Sequence, residues 1–205
     1  MDNFVITIAR QYGSGGRTVG EMLAKKLGIG YYDKDIIRMA SEDSGIHETL
    51  FGRVDEYSSA KKPLFGKNGI YSGELIPPQS KDFTSDENLF NFQAKIIREL
   101  AEKESCVIIG RCSDVIVEDA FRIFICSSFK KRVERIQGLE KEPEDLKKLE
   151  SRIRAVDAKR RDYYQYYSGN EWGNPRNYHL SLNSGKLGIE KCVDMILESL
   201  KLYEQ

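Results

Sequence analysis

The chain has 205 residues, of which 40% are hydrophobic and 31% charged, the ordinary balance of a soluble globular protein with a core of its own. Lys plus Arg and Asp plus Glu each number 32, so the net charge is zero and no chain-wide electrostatic case exists for nucleic acid or an anionic membrane. No apolar run approaches the roughly 20 residues of a membrane span, and the acidic start MDNFVITIAR does not read as a signal peptide. Cys106, Cys112, Cys126 and Cys192 form no C-x-x-C pair and only His47 and His179 accompany them, so buried reduced thiols in a cytoplasmic protein are expected rather than a zinc site.

The run Phe4-Val5-Ile6-Thr7-Ile8-Ala9 is short, continuous and β-branched, and predicts a fully buried strand. A glycine-rich turn follows, Tyr12-Gly13-Ser14-Gly15-Gly16, and then a helix over 17–27 with Val19, Met22, Leu23 and Leu27 at helical spacing and Gly28 as its stop. Tyr31-Tyr32 predicts a second strand, and Asp33 stands where it would cap a helix through Ile36, Ile37 and Ala40. Residues 51–86, with Pro63, Pro77, Pro78, Gly52, Gly66, Gly69 and Gly73, show no clear period and predict a long loop or insertion. Regular structure resumes with a helix over 87–104 and strands at 106–110 and 122–126. Helices over 128–138 and 143–167, a strand at 179–183 and a last helix over 187–203 complete the chain. Apolar strands alternating with helices predict βαβ units, a parallel sheet and right-handed crossovers, hence one α/β domain over 1–205.

The strongest motif is the strand–turn–helix around the glycines. Phosphate needs close backbone approach, and glycines let successive N–H groups point inward while the following helix adds its N-terminal dipole. The usual form of the device is G-x-x-x-x-G-K-[ST]. In that register this chain has Gln11 for the leading glycine and Arg17 for the lysine, and it keeps Thr18 as the hydroxyl on the metal side. Arginine retains the charge and forks across two phosphate oxygens, with a geometry unlike that of an ammonium group. Asp33, following the second strand, faces this loop across the sheet edge; its carboxylate suits a Mg²⁺ water shell, the surroundings of an acceptor phosphate or a helix cap equally.

These residues place the chain near a known family. ITIARQYGSGGRTVGEMLAKKLGIGYYDKDII, VIIGRCSD and VDAKRRDYYQYYSGNEWGNPRNYHLSLNSGKLGIE resemble the cytidylate kinase-like branch of the P-loop nucleoside monophosphate kinases, closest to its arginine-loop members. The resemblance implies a P-loop NTPase-type five-stranded parallel sheet flanked by helices. It also implies an acceptor-binding insertion, here 51–86, and a helical lid, here about 128–167. It implies ATP-dependent phosphoryl transfer to a nucleoside monophosphate, CMP or dCMP first, with Mg²⁺ accompanying ATP. Gly13, Ser14, Gly15, Gly16, Arg17 and Thr18 would hold the ATP phosphates, and Thr18 the Mg²⁺, with Asp33 reaching it through water.

Gly110-Arg111 looks like the family's strand-end arginine that grips the acceptor monophosphate, so Asp33, Arg111 and Asp157 are expected around the acceptor. Residues 128–161 hold twelve Lys or Arg against seven Asp or Glu. Within them Arg132 and Arg160, and less strongly Arg135 and Arg161, match the family's lid arginines, which would join Arg17 as catalytic residues. Asp157 would either fix an arginine or contact the nucleoside. Cys112 and Lys34 depart from the residues that read the acceptor in the better-known cytidylate kinases.

A small-molecule kinase of the same fold and a non-catalytic nucleotide-binding module remain alternatives. The aromatic stretch from Tyr163 through Tyr178 suits packing better than base stacking. Expected partners are ATP and a nucleoside monophosphate, with no nucleic acid and no membrane; nothing in the sequence sets the oligomeric state.

Overall fold

The computed structural model describes residues 3–56, 74–140 and 144–203. Its centre is a sheet of five parallel strands numbered in chain order: β1 (Val5–Arg10), β2 (Gly30–Tyr32), β3 (Cys106–Ile109), β4 (Phe121–Cys126) and β5 (Leu180–Asn183). The spatial order is β2-β3-β1-β4-β5. Strand β1 pairs with β3 from Val5↔Cys106 to Ile8↔Ile109, and with β4 from Ile6↔Phe121 to Arg10↔Ile125. The chain leaves β1 for the edge strand β2 and returns to place β3 beside β1. The strand order therefore reverses at the carboxyl ends of β1 and β3, where open parallel sheets bind ligands.

Alternation along the strands serves two separate cores. Ile6, Ile8, Val107 and Ile109 face α1 (Gly16–Leu27) and α9 (Ile189–Tyr203), where Val19, Leu23, Val193 and Ile196 meet them. Val5, Cys106 and Ile108 face the opposite layer, built from α2 (Asp35–Ser44), α3 (Glu48–Glu56) and α4 (Asp86–Lys103). The end of α7 (Leu146–Ser168) joins that layer with Tyr163, Tyr164, Tyr166 and Tyr167, all buried. Coverage of both faces explains why the strands read as continuous apolar runs. A third cluster, Val133, Ile136, Leu149 and Ile153, packs α6 (Phe129–Leu139) against α7.

The differences from the sequence reading have local causes. Asp33 does not cap α2; Lys34 holds the cap position without a side-chain hydrogen bond, because the Asp33 carboxylate turns to Arg17 instead. Two four-residue helices, α5 (Ser113–Ile116) and α8 (Ser184–Leu187), are too short to carry a period and went unread. Of the insertion expected at 51–86, α3 takes the first residues and 57–73 lie outside the described residues. Turns over 74–85 are tied to α4 by Asn88, which accepts from the Ile76 N–H at 2.8 Å and donates to the Phe83 carbonyl at 2.7 Å. In the region expected to form the lid, α6 and α7 flank residues 141–143, also outside the described set. Among the described residues no helix is long and apolar enough to cross a membrane.

Helix α1 lies against the sheet at Gly20, where an added Cβ would fall 2.6 Å from Ile109 Cδ1 and 3.3 Å from a Tyr31 ring carbon. On the exposed face of α6, Gly138 has nothing within 4 Å of the same position. Gly20→Ala should therefore destabilise the protein by about 1–3 kcal/mol through overpacking, whereas Gly138→Ala should stabilise it by up to about 1 kcal/mol. Urea unfolding of the two variants checks both signs.

Candidate active site

The glycine loop is held from outside by its carbonyls. The Tyr12 carbonyl accepts from Arg132 Nη1 at 3.1 Å, and the Gly13 carbonyl from Arg135 Nη1 at 2.7 Å. The Ser14 carbonyl accepts from the Ser184 hydroxyl, which also bonds the Cys126 carbonyl at 3.2 Å. Gln11, at the leading-glycine position, accepts the Ser127 N–H on its side-chain oxygen at 3.0 Å. Gly13 and Gly15 adopt left-handed φ of 75° and 80°. A Cβ on Gly13 would meet Ile136 Cδ1 at 2.7 Å, so glycine is required there by both space and conformation. Helix α1 starts at Gly16 with no side-chain cap and no acidic residue in its first turn, which leaves its amino-terminal N–H groups available to an anion.

Tyr12 is clamped on every side. Its N–H donates to Asp157 Oδ1 at 2.7 Å, and the other Asp157 oxygen takes Arg132 Nη1 in a buried ion pair. Its hydroxyl accepts from Arg152 Nη1 at 2.6 Å, and the guanidiniums of Arg152 and Arg160 lie 5.7 Å and 5.6 Å from its ring centre. Arg152 is in turn paired with Glu140 and, at 2.6 Å, with Glu144.

A cavity of about 490 Å³ opens at the carboxyl ends of β1 and β3. Among the described residues six cations line it, Arg10, Arg17, Lys34, Arg111, Lys159 and Arg160, against the carboxyl groups of Asp33 and Asp114. Asp33 is 6% exposed and stands at the centre of this charge. Its Oδ2 pairs with Arg17 Nε at 2.6 Å, its Oδ1 lies 3.8 Å from Arg10 Nη2, and its backbone carbonyl accepts from Arg111 Nε at 3.1 Å. Arg111 Nη1 also donates to the buried Gln93 side chain at 2.9 Å.

The turn that presents Arg111 is strained. Gly110, Arg111 and Cys112 are all left-handed, with φ of 69°, 60° and 54°. Two consecutive side-chain-bearing residues in this region cost roughly 1–2 kcal/mol each, and strain of this kind collects at functional sites. Arg160 reaches the cavity from α7 and donates to the Arg10 carbonyl at 3.0 Å; burial lowers its pKa, with Asp157 and Asp33 opposing.

Of the residues expected from the sequence, Arg17, Asp33, Arg111 and Arg160 come together on the cavity wall. Thr18 is exposed in the first turn of α1. Arg132 and Asp157 do not line the cavity: the expected catalytic arginine and the expected acceptor carboxylate are spent on each other and on the Tyr12 backbone. Asp157 is paired with Arg132 and accepts the Tyr12 N–H. Lys34 and Cys112, the departures from the better-known pattern, both face the cavity.

Sequence reasoning passed over Arg10, Tyr12 and Asp114. The signal for Arg10 was a cation on the last position of an otherwise apolar strand, directly before the glycines. Of the aromatic stretch, Tyr163, Tyr164 and Trp172 line the cavity, while Phe90 and Tyr167 lie parallel at 4.0 Å and the Tyr166 hydroxyl donates to Glu87 at 2.7 Å.

This architecture, a parallel sheet with a glycine loop between β1 and α1 and arginines at the strand ends, is that of the P-loop kinases. The sequence profile of the cytidylate kinase-like family matches residues 5–186, and the chain belongs to that family. A protein named cytidylate kinase from Archaeoglobus fulgidus is 28% identical over 200 residues, covering 96% of this chain and 94% of its own. One of the same name from Methanobrevibacter smithii is 25% identical over 199 residues, covering 97% and 99%. Among solved structures, a protein from Eubacterium ventriosum superposes with a TM-score of 0.70 at 24% identity, covering 97% of this chain and 99% of that one. A shikimate kinase from Bacteroides thetaiotaomicron superposes at 0.55 with 16% identity over 97% and 98%, a likeness of fold. Family and fold together make the protein a phosphotransferase.

Asp114 is 3% exposed and accepts from the Tyr164 hydroxyl at 2.7 Å. Burial pushes its carboxyl up to about 6, against the pull of Tyr164 and Arg122. A folded pKa above the unfolded one means that the folded state binds the extra proton, so stability falls as pH rises from about 4 through about 6. Asp114→Asn, whose amide oxygen still accepts from Tyr164, should flatten this window and raise stability at pH 7 by up to about 3 kcal/mol. Denaturant unfolding of both proteins between pH 4.5 and 7.5 makes the comparison.

Proposed function

We propose that the protein transfers the γ-phosphoryl group of ATP to a nucleoside monophosphate, with CMP or dCMP the first acceptors to test. The observation that carries this reading is the meeting of two arginines on one residue. Arg17, from the glycine-loop helix, and Arg111, from the end of β3, are both bonded to Asp33, one through its carboxylate and one through its carbonyl. A phosphate cradled by the loop and a second phosphate held by Arg111 would therefore face each other across Asp33.

Phosphoryl transfer asks for positioning and charge neutralisation more than for covalent help. An oxygen of the acceptor phosphate attacks the γ-phosphorus, the bond from that phosphorus to the β–γ bridging oxygen breaks, and ADP leaves with the electron pair. Residues 13–18 would hold the donor phosphates, Arg17 the β and γ groups, and Arg111 the acceptor phosphate. Arg160 would neutralise charge between them, while Arg132 and Asp157 keep the loop in shape through Tyr12. The acceptor phosphate is itself the nucleophile and needs little base assistance.

Mg²⁺ fits the donor set. Among the described residues no cluster of three His, Cys, Asp or Glu could hold a metal ion; a Mg²⁺ accompanying ATP would be bound mainly by the nucleotide's phosphates and water. The Thr18 hydroxyl, and Asp33 through water, would supply the hard oxygens. When bound, Mg²⁺ neutralises charge on the β and γ oxygens. Family membership and the relatives' names support a nucleoside monophosphate as acceptor; Lys34 and Cys112 set aside any transfer of base specificity from the better-known pattern.

Purified protein with Mg·ATP and a panel of ribo- and deoxyribonucleoside monophosphates should yield ADP and a new nucleoside diphosphate in equal amounts by chromatography. Arg17→Ala should lower kcat on the order of 10²–10³-fold. Arg111→Ala should act chiefly on the acceptor, with kcat/KM for it falling on the order of 10²-fold. ATP binding without any diphosphate product would overturn the reading in favour of a binding module or a different acceptor.

A further inference from the structure

Arg10 carries no assigned role, yet it has the most unusual surroundings of any arginine lining the cavity. It ends β1, and its stem runs beside Gly16, where an added Cβ would lie 2.5 Å from Arg10 Cβ and 3.0 Å from Cγ. Its guanidinium continues to the end of β3, where a Cβ on Gly110 would lie 3.2 Å from Arg10 Cζ and closer still to Nη1. Two glycines, one at the start of the helix that follows the loop and one before Arg111, thus leave the space this side chain occupies. The guanidinium lies between the two places where phosphates are proposed to sit.

The side chain is only 17% exposed, and its guanidinium donates no hydrogen bond to any described residue. The Asp33 carboxylate comes no nearer than 3.8 Å, beyond hydrogen-bond distance, and its other oxygen is engaged by Arg17 at 2.6 Å. The remaining neighbours repel it. Arg160 donates to the Arg10 carbonyl, and Arg17 and Arg111 share the cavity wall. Burial and this crowd of like charge bring the Arg10 pKa down to about 9, with the Asp33 carboxylate pulling the other way. A planar fork of five N–H groups that the protein itself does not satisfy matches the paired oxygens of a phosphate.

We propose that Arg10 is a phosphate ligand at the floor of the cavity, bonding phosphate oxygens where donor and acceptor meet, with Asp33 giving up its hold on the arginines as phosphate enters. The proposal rests on the kinase reading for the location of the phosphates, and on the geometry of Arg10 alone for the contact itself. Asp33 then acts as the stand-in anion that pairs with Arg17 and faces Arg10, and the incoming phosphate takes over these two partners.

Metal-free inorganic tripolyphosphate is the probe. Calorimetric titration should give a Kd about 10- to 100-fold weaker for Arg10→Met than for the wild type, with partial recovery in Arg10→Lys. Guanidinium ¹⁵N NMR of the wild-type protein reads the contact without relying on the Met variant to fold. The Arg10 signal, identified by its loss in Arg10→Lys, should shift and become protected as tripolyphosphate is added. An Arg10 signal that stays in place while tripolyphosphate binds overturns the proposal, as does wild-type protein that binds no tripolyphosphate. Loss of the monophosphate-kinase reading looks different: no nucleoside diphosphate forms, yet the Arg10 signal still responds.

Discussion

One buried carboxylate organises the cationic cavity. Asp33 receives Arg17 on one oxygen, faces Arg10 with the other and holds Arg111 through its backbone. Without it, four guanidiniums would converge at the sheet edge with little to offset their repulsion, in a medium that screens charge poorly. With it, the arginines are gathered but not neutralised, since among the described residues six cations on the wall face two carboxyl groups, one of them pushed up to about 6 by burial. Such a cleft is organised for a ligand bearing several negative charges.

The rest of the structure delivers these groups to Asp33. Parallel order β2-β3-β1 brings the ends of three strands together, so that Arg10, Asp33 and Arg111, far apart in the chain, become neighbours. The glycine loop is kept in shape from outside, by Arg132, Arg135 and Ser184 on its carbonyls and by Asp157 on the Tyr12 N–H. The buried Arg132–Asp157 pair adds little net stability, because desolvation offsets most of its attraction; its value is geometric. The left-handed turn at Gly110, Arg111 and Cys112 stores local strain and aims Arg111 at the Asp33 carbonyl. Packed tyrosines at the end of α7 provide a firm back wall.

Much of this was legible beforehand for physical reasons. Strand β1 and the glycine turn could be read because a doubly covered parallel strand is apolar throughout and a tight phosphate loop needs glycine. Arg17 followed from its register behind those glycines. The resemblance to a family then pointed to Arg111 and Arg160, which do line the cavity. Arg132 and Asp157 share the same charged segment and the same resemblance, yet they face the loop's backbone. Helical spacing gives the angular position of a side chain and does not say what stands opposite it. Arg10 was invisible for the converse reason: a strand-end arginine is ordinarily solvated, and only the packing shows that its guanidinium is enclosed.

By itself the sequence determined the α/β layering, the phosphate-loop device with arginine in place of lysine, and the lack of any overall charge bias. These depend on local periodicity, on backbone freedom and on composition, all of which are written along the chain. Tertiary structure decided which charges share a cavity and which charges cancel. It turned Asp33 from a helix cap into the hub of the arginines and made Asp157 a clamp on Tyr12. It also left the Arg10 guanidinium enclosed without a hydrogen-bond acceptor among the described residues. Pairing between charges depends on distances across the fold, set by strand order and by the close approach that Gly16 and Gly110 permit, and no sequence spacing encodes those distances.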